Sequence, residues 1–312
     1  MKTGMHQPVL VKEVLEALLP EKCKIIIDAT VGAGGHAEAI VAKLKGEARL
    51  ICIDTDENAL KIAKRRLARH KSRIRFAHLR FSELEDFLSS LKIKEVSGLL
   101  FDLGLCALHL EDAGRGFSFQ LDGPLDMRMD QSQSKSALEV VNNYSLGELI
   151  TIFRRFGQEK FSKRIARAIV KQRVKSPLLT TFQLRSLVES TVNPRYRLKS
   201  LARIFQAIRI EVNDELVELR EGLKQAVGLM APGGRLSVIS YHSLEHRLIK
   251  AKLRHESKGC VCPPGLPVCC CGARTDLRMI TAKPVVPSLE EIQANPRARS
   301  AKLWVAEKLN PR

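Results

Sequence analysis

No stretch of this 312-residue sequence approaches the ~18 uninterrupted apolar residues that a membrane span requires. Its N-terminus, MKTGMHQPVLVKEVLEALLP, lacks the apolar core of a secretory leader, so a cytoplasmic protein without membrane attachment is expected. Internal repeats and low-complexity segments are also missing. With 45% apolar residues the chain can instead bury one large core, or one core plus an insert.

Acids are scarce in one region. From Phe153 to Arg209 there are fifteen Lys and Arg against only Glu159 and Glu189, a net +13 out of the chain's total of +18. The remainder is nearly balanced. So many cations with almost no acids to pair with point to an acidic partner, and nucleic acid fits better than mere solvation of helix faces. Phe156, Arg195 and Tyr196 lie in this segment and have the chemistry to stack on bases, although Phe at helical spacing is more often core.

Cysteine is sparse except at one point. Five of the eight fall within Cys260 to Cys271, in CVCPPGLPVCCCG, while Cys23, Cys52 and Cys106 stand alone. In a long chain of this kind the cluster suggests thiols or a metal before disulfides. Cys260, Cys262, Cys269 and Cys271 offer a tetrahedral thiolate set for zinc, but C-x-C is less diagnostic than paired C-x-x-C. Free thiols in a surface loop are the alternative.

The first hundred residues alternate strand and helix. Strands are expected at Ile25–Ala29, Leu50–Asp54, Arg73–His78 and Leu99–Leu103, with helices at His36–Lys45, Asn58–His70 and Ser82–Leu91. That alternation means an α/β fold with a doubly wound, mostly parallel sheet. Gly114 to Ser136 then reads as a long functional loop, and Leu138 to Arg209 as helices, where Phe161, Ile165 and Ile169 repeat every four residues. A helix from about Asn213 to Met230, the turn Ala231–Gly234 and a strand Leu236–Tyr241 resume the sheet. A further helix, a Cys-Pro-Gly loop, the strand-like RMITAKPVV and a last strand AKLWVAEK follow.

The stretch IIIDATVGAGGHAEAI carries the cofactor signal. Gly32, Gly34 and Ala37 match G-x-G-x-x-A, which alone permits a dinucleotide and hence a dehydrogenase. Asp28, four residues before Gly32, has no use at a pyrophosphate loop but suits the amino-acid end of S-adenosylmethionine. Asp54 closes the second strand and suits a ribose in either cofactor. LMAPGGRLSVIS has the helix–turn–strand character of the late part of methyltransferase sheets. Asp102, in LLFDLG, is expected at the carboxyl edge of the sheet, where it would hold an exocyclic amine.

Together with HQPVLVKEVLEAL, RGFSF, DGPLDMRMD, FSKRIARAI, FQAIRIEVNDEL, APGGRLSVISYHSLEHR and NPRARSAKLWVAE, these motifs run in order along nearly the whole chain. In them the sequence resembles the MraW family of bacterial 16S rRNA cytidine N(4)-methyltransferases. The resemblance implies a class I methyltransferase sheet with an inserted basic helical domain, S-adenosylmethionine as cofactor, and cytidine 1402 in the decoding centre of 16S rRNA, within the small ribosomal subunit, as target. It divides the chain into a methyltransferase domain (1–112 and 213–312), an active-site loop (113–136) and an rRNA-recognition insert (137–212). A homodimer is compatible with the sequence.

The resemblance carries cofactor contacts to Gly34, Gly35, His36, Asp54, Phe81 (packing on adenine), Asp102 and His109. At the last position the family's DLGVSSxQLD reads DLGLCALHLED, so His109 replaces a glutamine and Cys106 and Ala107 replace serines. A histidine keeps one hydrogen bond but not the paired groups of an amide. Asp102 is the expected catalytic residue, accepting a hydrogen bond from the cytidine amine. Asn213 and His242, with Asp126, Arg128, Asp130 and Ser240, are supporting candidates. A non-catalytic RNA-binding protein, or the same chemistry on DNA or protein, are the rival readings.

Overall fold

Ile26 and Ile27, both fully buried, sit in the short strand β1 (Ile25–Asp28), an inner strand of a seven-stranded sheet. The computed structural model describes residues 8–258, 262 and 275–310. The other strands are β2 (Arg49–Asp54), β3 (Ile74–His78), β4 (Val96–Asp102), β5 (Met230–Ser240), β6 (Leu277–Met279) and β7 (Lys302–Lys308), in the order β3-β2-β1-β4-β5-β7-β6. β1 to β5 pair in parallel, whereas β7 runs antiparallel to both β5 and β6. Runs such as IIID and LICI are apolar on both faces because helices cover both faces, which is why they do not alternate.

The chain forms two compact units, Met1–Gly104 with Leu216–Arg312, and Leu105–Glu215. In the first, the face of the sheet carrying Ile26, Leu50 and Leu100 packs on Val14, Ile40 and Leu60 from helices Val11–Leu18, Gly35–Lys43 and Glu57–Arg66. The other face buries Ile27, Leu99 and Phe101 against Leu88, Leu223 and Ile249 from helices Leu84–Ser90, Glu215–Leu229 and Ser243–Glu256. Strand order reverses between β1 and β4, and the carboxyl ends that flank such a switch point are where doubly wound sheets hold ligands.

The second unit is helical. Leu146–Arg155, Ser162–Lys175, Thr181–Thr191 and Arg197–Asn213 enclose Phe153, Ile165, Ile169, Leu184, Ile204 and Ile208. Ser145 and Thr180 close capping boxes with Glu148 and Gln183, which fix two of the helix starts. Lys163, Arg164, Arg167, Lys171 and Lys175 of helix Ser162–Lys175 are exposed, while its isoleucines face inward.

Several boundaries differ from the sequence expectation. The loop expected at 113–136 belongs to the helical unit, because Phe117, Leu125 and Met127 are buried in its core and Ala137 N donates to Asp126 O at 2.7 Å. The helix expected to start at Asn213 starts at Glu215. Asn213 ends the preceding helix, and Asp214, in the left-handed region at φ 51°, turns the chain between them. The turn Ala231–Gly234 is a bulge within β5: from Val96 to Gly98 on β4, β5 advances from Met230 to Arg235. In RMITAKPVV only the first residues are strand, and beyond them Val285 makes a single bridge to Leu303. Pro284 cannot donate to a ladder.

Candidate active site

Three parallel strands end on aspartate: β1 at Asp28, β2 at Asp54 and β4 at Asp102. The glycine loop closes over them. Ala29 N donates to Leu100 O and Val31 N to Ile53 O, each at 2.9 Å, so the loop leaves β1 hydrogen-bonded to the strands on both sides. Asp54 then ties loop to edge, its Oδ2 accepting from Gly32 N at 2.8 Å and its Oδ1 from Asp56 N at 2.9 Å.

Two glycines are there for contact. Gly34, at φ 83°, is the N-cap of helix Gly35–Lys43 and lies so close to Ala63 and Leu67 that a Cβ would meet them at 3.3–3.4 Å. At Gly35 a Cβ would fall 2.9 Å from the ring of Pro8, which packs on the loop. Among the described residues no side chain caps this helix. Its first-turn N–H groups and its positive end therefore suit a polar ligand.

His36 is the second residue of that helix and is buried. Its Nε2 lies 3.4 Å from Asp102 Oδ2, close enough for charge attraction but not aligned as a hydrogen bond. Burial pushes its basicity down, yet Asp102 first, then Asp28 and Glu291, outweigh that and raise it above the ordinary imidazole value. Asp28 is almost completely buried. Its Oδ1 accepts from Thr30 N at 3.2 Å and its Oδ2 has no hydrogen-bond partner among the described residues. Desolvation pushes its carboxyl up to about 7, with His36 and Thr30 N–H pulling it back and Asp102 and Asp54 adding to the rise.

Asp102 is more accessible than His36 or Asp28, with 17% of its side chain exposed. Two residues that sequence reasoning did not single out hold it. Thr30 Oγ1 accepts from Asp102 N at 2.6 Å, and the Tyr241 hydroxyl donates to Asp102 Oδ1 at 2.8 Å. Burial, then the Asp102 charge, push the Tyr241 phenol well above its ordinary value, so it stays a donor. Gly104, at φ 99°, passes beneath the same ring, where a Cβ would come within 3.1 Å. The signal for Tyr241 lay in the pairing of strands: Asp102 registers with Ile239 on β5, two residues before it.

The other candidates fall elsewhere. Phe81 follows β3 in a short 3-10 turn and packs edge-on against Phe101, with ring centres 5.1 Å apart. Ser240 is buried at the end of β5, its hydroxyl 3.5 Å from Lys302 O on β7. His242 caps helix Ser243–Glu256: its Nδ1 accepts from Glu245 N at 3.4 Å, and Glu245 Oε2 accepts from His242 N at 3.1 Å. That is a structural duty.

In the helical unit Asn213 is a clamp. Its Oδ1 accepts from Met129 N at 2.7 Å, and its Nδ2 donates to Met127 O at 2.8 Å and Arg209 O at 2.9 Å. Arg128 makes a bidentate pair with Asp126 at 2.8 and 2.9 Å, and Asp130 Oδ1 accepts from Ser132 N at 2.9 Å. His109 is buried against the Phe117 ring, at a centre distance of 4.9 Å. Of the expected zinc set, Cys262 is half-buried, and Cys260, Cys269 and Cys271 lie outside the described residues. No helix among the described residues is long and apolar enough to cross a membrane.

Residues 3–309 match the model of the MraW methylase family. The chain is similar to the ribosomal RNA small subunit methyltransferase H of Carboxydothermus hydrogenoformans, 46% identical over 307 residues that cover 98% of each chain. It is 45% identical to the protein of the same name from Syntrophotalea carbinolica, over 97% of this chain and 98% of that one. Methyl transfer, not the hydride transfer of the dinucleotide alternative, is the chemistry these matches carry.

Proposed function

The chain belongs to the MraW methylase family, and we propose that it methylates the exocyclic 4-amino group of a cytidine in the decoding centre of 16S rRNA, the family target being cytidine 1402. Its cofactor is S-adenosylmethionine. The observation that carries the reading is Asp102 at the carboxyl edge of the sheet, its carboxylate held by Tyr241 and its backbone N–H by Thr30, beside the start of the glycine-loop helix.

The residues suit this cofactor, which bears a sulfonium and an ammonium. Asp28, with its buried and unpartnered Oδ2, matches a cationic group, and Asp54 matches a ribose. Gly34, Gly35 and His36 line the helix start, and Phe81 follows β3 where an adenine would be flanked. When bound, the cofactor supplies an electrophilic methyl group. The protein has to align the acceptor and favour a tetrahedral nitrogen, because the cytosine amine's lone pair is delocalised into its ring.

Asp102 is the residue we assign to the amine. As a hydrogen-bond acceptor it helps localise the lone pair, and its charge offsets the positive charge that develops on nitrogen. Tyr241 occupies one side of Oδ1 and fixes the plane of the carboxylate. Asn213 and His242, spent on a loop and a helix cap, act in this reading as positioning residues. The exposed cations of helix Ser162–Lys175 are the counterpart for RNA phosphates. Transfer of label from the cofactor to small ribosomal subunits lacking the modification is the test: Asp102→Ala is expected to lower it by at least ~100-fold, and transfer at the wild-type rate overturns the assignment.

A further inference from the structure

Two of the strands that end on acids start beside bases. β1 is preceded by Lys24 and ends at Asp28, and β2 opens on Arg49 and ends at Asp54. The amino edge of the sheet, opposite the acidic edge, holds a cavity of about 810 Å³ lined by Lys24, Lys45, Arg49, Arg73 and Arg75, with Glu47 the one acid among its lining residues. Nothing in the cofactor reading uses it.

The cations are arranged to face it together. Arg49 N donates to Lys24 O at 2.9 Å, so these two lie side by side at the strand starts. Arg75 registers with Ile51, two residues on from Arg49, and the two-residue period of a strand puts Arg49 and Arg75 on the same face. Arg73 spends its guanidinium on the carbonyls of Leu44, Gly46 and Ala48, at 3.1, 3.1 and 3.2 Å, and so fixes the loop that carries Lys45. Lys24, Lys45, Arg49 and Arg75 are exposed and meet no carboxylate among the described residues. Four like charges with a single acid, Glu47, lining the same cavity repel one another, and a polyanion is what relieves that.

We propose that this cavity is a second contact site for ribosomal RNA, taking backbone phosphates of a strand remote from the target cytidine. The inference rests on the rRNA reading above. It places an RNA contact on the methyltransferase unit itself, outside the basic helical insert.

The test uses full-length protein and small subunits lacking the modification, with affinity measured at several salt concentrations between about 50 and 200 mM. Arg49→Glu with Arg75→Glu is compared with Arg247→Glu with Arg254→Glu, which removes the same charge from two exposed arginines of helix Ser243–Glu256. The first pair is expected to weaken binding about tenfold or more and to make the log–log salt slope shallower by about 1.4, two phosphates at ~0.7 each. The control pair is expected to keep most of the affinity, and both are expected to keep the wild-type melting temperature and cofactor affinity. Equal affinity and slope for the two pairs overturn the inference. So does protection of the cavity by adenosine monophosphate without competition against subunits, which marks a free-nucleotide site. Failure of the wild type to bind subunits would instead overturn the rRNA reading itself.

Discussion

The Tyr241 hydroxyl donates to Asp102 Oδ1 at 2.8 Å, joining the end of β5 to the end of β4, which flanks the switch point of the sheet. A hydrogen bond to a charged group contributes ~1.5–3 kcal/mol. If that bond holds the carboxylate in its working plane, Tyr241→Phe is expected to lower kcat about tenfold or more while changing KM for the cofactor little. An equal rise in KM with kcat unchanged would mean the ring serves cofactor binding instead.

Asp28 makes the protein's stability depend on pH in an unusual direction. Its folded carboxyl titrates at about 7, whereas the same group in an unfolded chain titrates near ~3.9. Between those values the folded state keeps a proton that the unfolded state has lost, so stability falls as pH rises through that window. His36, also raised, adds to the fall as pH climbs through its own folded value. Asp28→Asn keeps an acceptor for Thr30 N but carries no charge. It is expected to melt higher than wild type at pH 8, to flatten the pH dependence of Tm, and to lower the NMR-measured titration point of His36.

Gly35→Ala sets a methyl group against the Pro8 ring at 2.9 Å. Forcing extra volume into a packed contact costs ~1–3 kcal/mol. Calorimetric titration is expected to show weaker cofactor binding, since the loop and Pro8 must shift together.

In the helical unit, Asn213→Ala leaves Met129 N and Met127 O without their side-chain partner. Buried polar groups so stranded cost ~1–3 kcal/mol each. Denaturant unfolding is expected to register a loss of about 2–4 kcal/mol on that basis, and limited proteolysis is expected to cut between residues 120 and 136 faster than in wild type.

The sheet was legible because its strands are short apolar runs that stop at acids. Asp54 and Asp102 could be placed at the carboxyl edge from the sequence, since parallel strands of a doubly wound fold share one, and Asp28 could be placed just before the glycine loop. Thr30 and Tyr241 were not legible. Their importance comes from pairing across strands, β1 to β4 and β4 to β5, which lies 72 and 139 residues apart in sequence. His242 read as a candidate because histidine has two chemistries, and only the Glu245 backbone contact reveals it as a cap. The loop's membership of the helical unit was hidden too, as three buried apolar residues in a polar stretch give no periodic signal.

Methylation of a decoding-centre cytidine amine is read most directly on the ribosomal RNA itself. Small subunits lacking the modification are incubated with the protein and isotopically labelled S-adenosylmethionine, and the 16S rRNA is digested and sequenced by mass spectrometry. The expected result is a single labelled methyl group on N4 of cytidine 1402, lost with Asp102→Ala. Label on another nucleotide or another atom of that residue, or no label in the 16S rRNA, would contradict the account.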